Sequence, residues 1–326
     1  PTTTAASTDE TPHVAALWIY PIKSCRGISV HSAQVVATGL QHDRQFTFAV
    51  RPAGGEEGEW TFITQRQYPL LSRVSTGIAG EELCVRWPAG RRSWWGWGGD
   101  RTAGFSVGLA PPAPSEQTLT LRVRVWKDTV CAYRAPMPTS ALSALHSFLD
   151  IPHGQELALC RVSEVREVFR CAPRKETLGW QVVTGFADTY PIHLLSLSSI
   201  ASLGSLPAIS STLGPLSPTR FRANLHIAGA AAFDEDGWKR FSLGGSMYTA
   251  ACRTVRCRMP NVDPETGVKH PIEPDRTMRE TRCVDEGAKG SACLGLQVLC
   301  EQREGATVKV GDRLVVTERG AHRYIK

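Results

Sequence analysis

Short alternating runs separated by turn residues set the fold class of this 326-residue chain. At 14–22, 28–30, 33–38, 43–50, 60–64, 70–76, 82–87 and 119–125, apolar, β-branched and aromatic side chains occupy strand-length runs. Side chains alternate faces along a strand, so a period of two buries one face. Runs 28–30 and 33–38 read as a hairpin, and 138–149 has helical spacing with Thr139 or Ser140 as its cap. Many short strands with one helix predict a small antiparallel barrel or sandwich, within a mixed, β-rich (α+β) chain.

The length suits two domains of ordinary size. Residues 1–13 read as a disordered polar tail, 14–164 as a β-rich N-terminal domain, and 165–186 as the interdomain connection, because periodicity fails there. The second domain spans 187–318. In it, 197–205 starts a helix and a Ser/Pro/Leu loop follows to 218. Arg220–Ile227 then reads as a strand, which puts Arg220, Arg222 and Asn224 on one face.

With 42% hydrophobic and 21% charged residues, the chain reads as soluble and globular. No apolar run approaches the roughly 18–20 residues of a membrane helix. Membrane association is expected only if an anchor precedes residue 1. The net charge of +6 is spread along the chain, without a block of five or six like charges. No nucleic-acid partner is expected; a basic cleft for a phosphorylated cofactor accounts for the charge. The ten cysteines show no paired framework, so reduced thiols are expected. Cys252 and Cys257 lack the spacing of a structural zinc site, which leaves open a metal contacted by one thiolate.

That thiolate is sought at 249–267, a strand that runs into the turn Asp263-Pro264-Glu265-Thr266-Gly267. Cys257 stands between Arg256 and Arg258, whose charges favour a thiolate, the form that binds a soft metal. It also reads as one more small buried hydrophobe. Lys23-Ser24 at a strand end reads either as an anion contact or as a solvated turn, and Arg44 at the start of the strand 43–50 either as a second anion contact or as an ion pair with Asp43 or an exposed arginine. The tryptophans at 87, 94, 95 and 97 form either a partner patch or a loop stacked on its own barrel.

Taken in order, several pieces resemble the MOSC-domain proteins of the molybdenum cofactor. They are Tyr20-Pro21-Ile22-Lys23-Ser24, Asp43-Arg44, Gln65-Arg66-Gln67 and Phe221-Arg222-Ala223-Asn224. Arg256-Cys257, Val262-Asp263-Pro264-Glu265-Thr266-Gly267 and Val310-Gly311-Asp312 complete the set. The likeness is to the mitochondrial amidoxime reducing component and to the C-terminal part of molybdenum cofactor sulfurase. It implies a MOSC β-barrel domain packed with an N-terminal β-rich MOSC-N domain, and molybdenum cofactor (Mo-molybdopterin) between them.

The resemblance implies that Cys257 is the metal ligand and that Lys23, Ser24 and Arg44 hold the pterin phosphate and polar edge. It implies cofactor contacts for Asp188, Thr189, Tyr190, Arg222, Asn224 and Arg256. Asp263 is expected either to relay protons or to serve its Asp-Pro turn. Proline tends to stand where Ala223 is found in the reductase branch, and the alanine is more like the sulfurase. The activity implied is a molybdenum-dependent reduction of small N-hydroxylated or N-oxide substrates. Electrons would come from a cytochrome b5-type donor and its reductase, on the cytoplasmic side, in the cytosol or on the mitochondrial outer membrane if an anchor was removed. The alternatives are a non-catalytic cofactor carrier and a metal-free interaction protein that uses the tryptophan insert.

Overall fold

Burial alternates along the central strands as the sequence periodicity demands. Ser246–Val255, for example, alternates buried and half-buried residues over its whole length. The computed structural model describes residues 11–54, 60–89, 101–111 and 120–325, with the backbone of 92–93 and 96–97. Two β-systems dominate it. A closed five-stranded barrel runs in the order Thr120–Val125, Asp128–Arg134, Gln155–Val162, Phe46–Pro52, Trp60–Phe62. Ala49, Trp60, Val123, Val130 and Phe186 belong to its buried apolar cluster.

The second system is an eight-stranded sheet. Its order is Ile28–Val30, His13–Ile19, Leu225–Ala228, Ile192–Ser196, Cys293–Cys300, Ser246–Val255, Trp238–Leu243 and Leu314–Arg319. The β-rich fold class expected from sequence is therefore observed, with the closed barrel in the N-terminal half. His13–Ile19 pairs antiparallel with Leu225–Ala228, so the start of the chain is a structural strand of the C-terminal sheet. The chain then crosses into the barrel at Phe46. Of the stretch 20–45 that makes the crossing, Lys23, Ser24 and Arg44 lie at the junction of the two systems, while Ile28–Val30 stays at the edge of the sheet.

Several local expectations are corrected. Ile28–Val30 pairs with Leu17–Ile19 and Ser32–Val36 pairs with Thr307–Lys309, so 28–38 is not a hairpin. Pro69 begins a 3-10 turn over Pro69–Arg73, leaving only Ser75–Ala79 as strand, since proline suits the first turn of a helix. The helix Thr139–Phe148 forms, but neither Thr139 nor Ser140 caps it; the N-cap residue is Pro138. Pro207–Leu213, within the expected loop, is a helix with proline in its first turn, and Asp275–Thr281 is a further helix. Trp87 lies in the core edge-on to Phe105, with centroids 6.0 Å apart, and not in a surface patch. Trp94, Trp95, the side chain of Trp97 and the tail at 1–10 fall outside the described residues.

The largest correction concerns Arg220–Ile227. Pro218–Phe221 is a 3-10 turn, and Arg222 at φ 54° is left-handed. The strand begins only at Leu225, so alternation does not place Arg220, Arg222 and Asn224 on one face. A left-handed residue re-aims every side chain after it. Arg220 turns away to Asp263, whereas Arg222 and Asn224 face the junction between the β-systems.

Candidate active site

The junction holds a cavity of about 140 Å³. Lys23, Ser24, Arg44, Asp188, Thr189, Tyr190, Arg222, Asn224, Arg256 and Cys257 all line it. Asp263 is not among its lining residues. Its carboxylate accepts from the Glu265 and Thr266 amides and from Arg220 at 2.5 Å, which closes the Asp-Pro turn. Those amides and Arg220 hold the acid below the usual carboxylate range against its burial.

Backbone strain collects here. Among the described residues seven non-glycines have positive φ, and three of them (Ser24, Arg44 and Arg222) line this cavity. Such conformations persist only where the surroundings enforce them, and they gather at functional sites. The enforcement is visible. Lys23 donates its backbone N–H to Phe46, and Arg44 donates its own to Tyr20, both at 2.8 Å. The Tyr20 ring is then held between two guanidiniums, Arg44 at 4.5 Å and Arg222 at 4.3 Å from its centroid.

Each cation has a different partner. Lys23 donates to the Phe186 carbonyl at 2.8 Å and to Asp188 at 2.5 Å. Burial lowers the Lys23 ammonium from its ordinary value, against the pull of Asp188. Asp188 is half exposed, and the Lys23 ammonium, with Arg66 and the Trp126 N–H, holds its carboxyl well below the usual range. Arg44 donates to Asp43 at 2.6 Å, to Asn224 at 3.0 Å and to the Arg222 carbonyl at 2.8 Å. Arg222 reaches the Cys25 carbonyl at 2.5 Å, and burial brings its guanidinium down to about 10. Arg256 reaches the Phe221 carbonyl at 3.2 Å and stands 3.5 Å from Nε2 of His193.

Among the described residues, Arg66, Arg222 and Arg256 have no carboxylate salt bridge. The cavity is thus left cationic, a fit for an anionic ligand. The Nε of Arg256 is buried without a partner, a donor for such a ligand to fill. No cluster of three His, Cys, Asp or Glu side chains converges anywhere among the described residues. A metal here would have one protein ligand, Cys257, with the remaining donors brought by an organic cofactor. The phosphate and dithiolene of molybdopterin answer both needs, so the residues present fit that group.

Cys257 is half-buried and follows the strand Ser246–Val255. It also lines a wider outer cavity of about 650 Å³, together with Arg66, Trp126, Lys127, Phe169 and Arg170. Arg66 lies 4.2 Å over the Trp126 ring, and Trp126 donates its indole N–H to Asp188 at 3.2 Å. The thiol is therefore on the wall between a cationic inner chamber and an aromatic, open approach.

Sequence reading assigned no role to His193, Thr254, Met259, Gln297 or Tyr324, which also line the inner cavity. His193 sits opposite Gln297 in the sheet, and Gln297 in turn opposes Cys252. A histidine inside the apolar run Ile192–Ser196 was a signal, because a polar side chain in a fully buried strand needs a partner. Burial holds His193 well below its ordinary value, with Arg256 and Arg44 adding to the effect, so it stays neutral.

Residues 11–136 match the MOSC N-terminal beta barrel domain and residues 182–315 the MOSC domain. Mitochondrial amidoxime-reducing component 1 of Mus musculus is 26% identical over 309 residues, covering 92% of this chain and 80% of that protein. Its Homo sapiens counterpart is 25% identical over 310 residues, covering 92% and 81%. Molybdenum cofactor sulfurase of Oryza sativa subsp. japonica is 27% identical over 265 residues, covering 78% of this chain and 29% of that protein. With both domains matched in order around this cavity, the chain belongs to the MOSC family of molybdenum-cofactor-related proteins.

Proposed function

We infer that this protein is a molybdenum-cofactor-dependent oxidoreductase that reduces small N-hydroxylated or N-oxide substrates. One observation carries the reading: Cys257 is exposed to both the cationic inner cavity and the outer approach. The amidoxime-reducing components, matched over nine-tenths of this chain, support the same activity class.

The residues divide the work. Lys23, Ser24, Arg44, Arg222 and Asn224 would hold the anionic end and polar edge of the pterin, and Arg256 would place a buried donor on it. Asp188, Thr189 and Tyr190 would close the inner chamber beside it. Cys257 would be the protein's single ligand to the metal, as a thiolate suits a soft centre. The bound cofactor supplies the two-electron redox chemistry. Asp263, committed to its turn, takes no part. Overall, an N–OH compound, two electrons and two protons give the N–H compound and water. We place the electron source in a cytochrome b5-type partner and its reductase, on the cytoplasmic side.

The test is benzamidoxime reduction by cofactor-loaded protein with an artificial electron donor, alongside molybdenum analysis. Turnover that disappears in Cys257→Ala is the expected result; retained turnover removes the ligand assignment. The likeness to the sulfurase favours a second reading, a cofactor carrier. Stoichiometric molybdenum without any turnover of N-hydroxylated compounds would select it.

A further inference from the structure

Behind the wall that carries Arg222 lies a smaller cavity of about 50 Å³, open to solvent on the side of Arg26 and Glu265. Trp18, Gln65 and Ser72 line it from the N-terminal half, and Arg220, Arg222 and Val262 from the C-terminal half. Its room is on the order of one or two water-sized occupants, too little for a phosphorylated metabolite.

Two of its lining residues, Trp18 and Arg220, each carry an N–H donor, Nε1 and Nε, that is buried with no hydrogen-bond partner. Arg220 is only 6% exposed, and its other nitrogens are engaged. Nη1 donates to the Pro260 carbonyl at 3.2 Å and Nη2 to Asp263 at 2.5 Å. Buried donors left empty are uncommon in folded proteins and call for an acceptor.

The charges around the cavity do not cancel. Three guanidiniums line it: Arg26, Arg220 and Arg222. Arg26 is matched by Glu265, also on the wall, through bonds of 2.6 and 2.7 Å, and Arg220 is matched by Asp263. Arg222 has no carboxylate salt bridge among the described residues. A water would satisfy the two N–H groups and leave the excess positive charge. An anion answers both.

We propose that this cavity binds a small monovalent anion of chloride's size, held by Trp18 Nε1 and Arg220 Nε beside the Arg222 guanidinium. Because both halves of the chain line the cavity, the anion ties them together. Because Arg222 also lines the inner cavity, the anion braces one wall of that chamber. The site stands apart from the proposed reductase activity, and its test needs no turnover.

The experiment is a bromide soak of crystals of the full chain, read as an anomalous difference map. The expected result is a bromide peak within hydrogen-bond reach of both nitrogens. In solution, melting temperature should rise with the logarithm of chloride concentration once chloride exceeds the dissociation constant, beyond the effect of gluconate at equal ionic strength. Trp18→Phe, which keeps the ring and removes the donor, should raise the dissociation constant read from that rise by roughly fivefold or more. No anomalous peak, identical melting in both salts, or a chloride response unchanged in Trp18→Phe would each overturn the site. Should Trp18→Phe fail to fold, the bromide map of the unaltered protein decides alone.

Discussion

Arg44 donates to the side-chain oxygen of Asn224 at 3.0 Å, a bond between residues 180 positions apart that joins the barrel entrance to the eight-stranded sheet. Asn224 uses its amide nitrogen on Asp43 and on the Trp18 carbonyl, both at 3.0 Å, and Tyr20 N–H donates to the same Asp43 oxygen. One buried amide therefore serves the carboxylate, the guanidinium and two strands together. Asp43 is 2% exposed and depends on these donors.

Asn224→Ala should cost roughly 2–4 kcal/mol, because it leaves a buried carboxylate short of a donor and frees Arg44. Urea unfolding at pH 7 measures this. A loss under about half a kcal/mol would mean the network contributes nothing beyond its packing.

Asp263→Asn separates a turn residue from a proton relay. The asparagine oxygen still accepts from the turn amides, while the Arg220 ion pair weakens. Since the aspartate side chain is 33% exposed, solvent limits the loss to about 1 kcal/mol. Turnover should stay within about threefold; a fall of a hundredfold or more would restore Asp263 to the chemistry.

Glu235 gives the stability a pH signature. Burial pushes its carboxyl up to about 7, against a hydrogen bond from Ser199 at 2.8 Å. The folded state thus prefers the protonated acid, and its penalty grows as pH rises from about 4.5 to about 7. Glu235→Gln should stabilise the protein by about 3 kcal/mol above pH 7 and by almost nothing near pH 4.5. Denaturant titrations across that range check it, and a gain that is the same at every pH would contradict it.

Cys171 should alkylate at a pH where most thiols are inert. A hydrogen bond from Cys252 brings it down to about 6, against burial and with help from the Ile325 amide, whose nitrogen is 3.1 Å from the sulfur. Its iodoacetamide rate should reach half of the plateau near pH 6, and Cys252→Ala should move that midpoint upward. Peptide mapping by mass spectrometry reads both. A midpoint near 8.5 in the unaltered protein would sink the assignment.

The fold class was legible because strand alternation is local. Each residue in Ser246–Val255 reports its face through its own polarity, without reference to distant neighbours. Segments governed by proline were less legible. Pro69, Pro207 and Pro218 each start a short helical turn where runs of apolar or small residues read as strand or loop. Cys257, Lys23, Ser24, Arg44, Arg222 and Asn224 stood out by their own chemistry, but only the resemblance chose the cofactor reading for them and added Asp188, Thr189, Tyr190 and Arg256, since Lys23 or Arg44 alone differs little from any solvated cation.

By itself, the sequence determined a β-rich chain of two domains, with a cysteine placed just beyond a strand end and flanked by arginines. Only tertiary structure decided that Arg222 enters the chamber while Arg220 leaves it, that neutral His193 stands beside Arg256, and that the first strand belongs to the last domain's sheet. The physical reason is range. Periodicity acts between neighbours in the chain, whereas a left-handed turn, a buried charge and a strand pairing across two hundred residues take their energy from groups the local sequence does not contain.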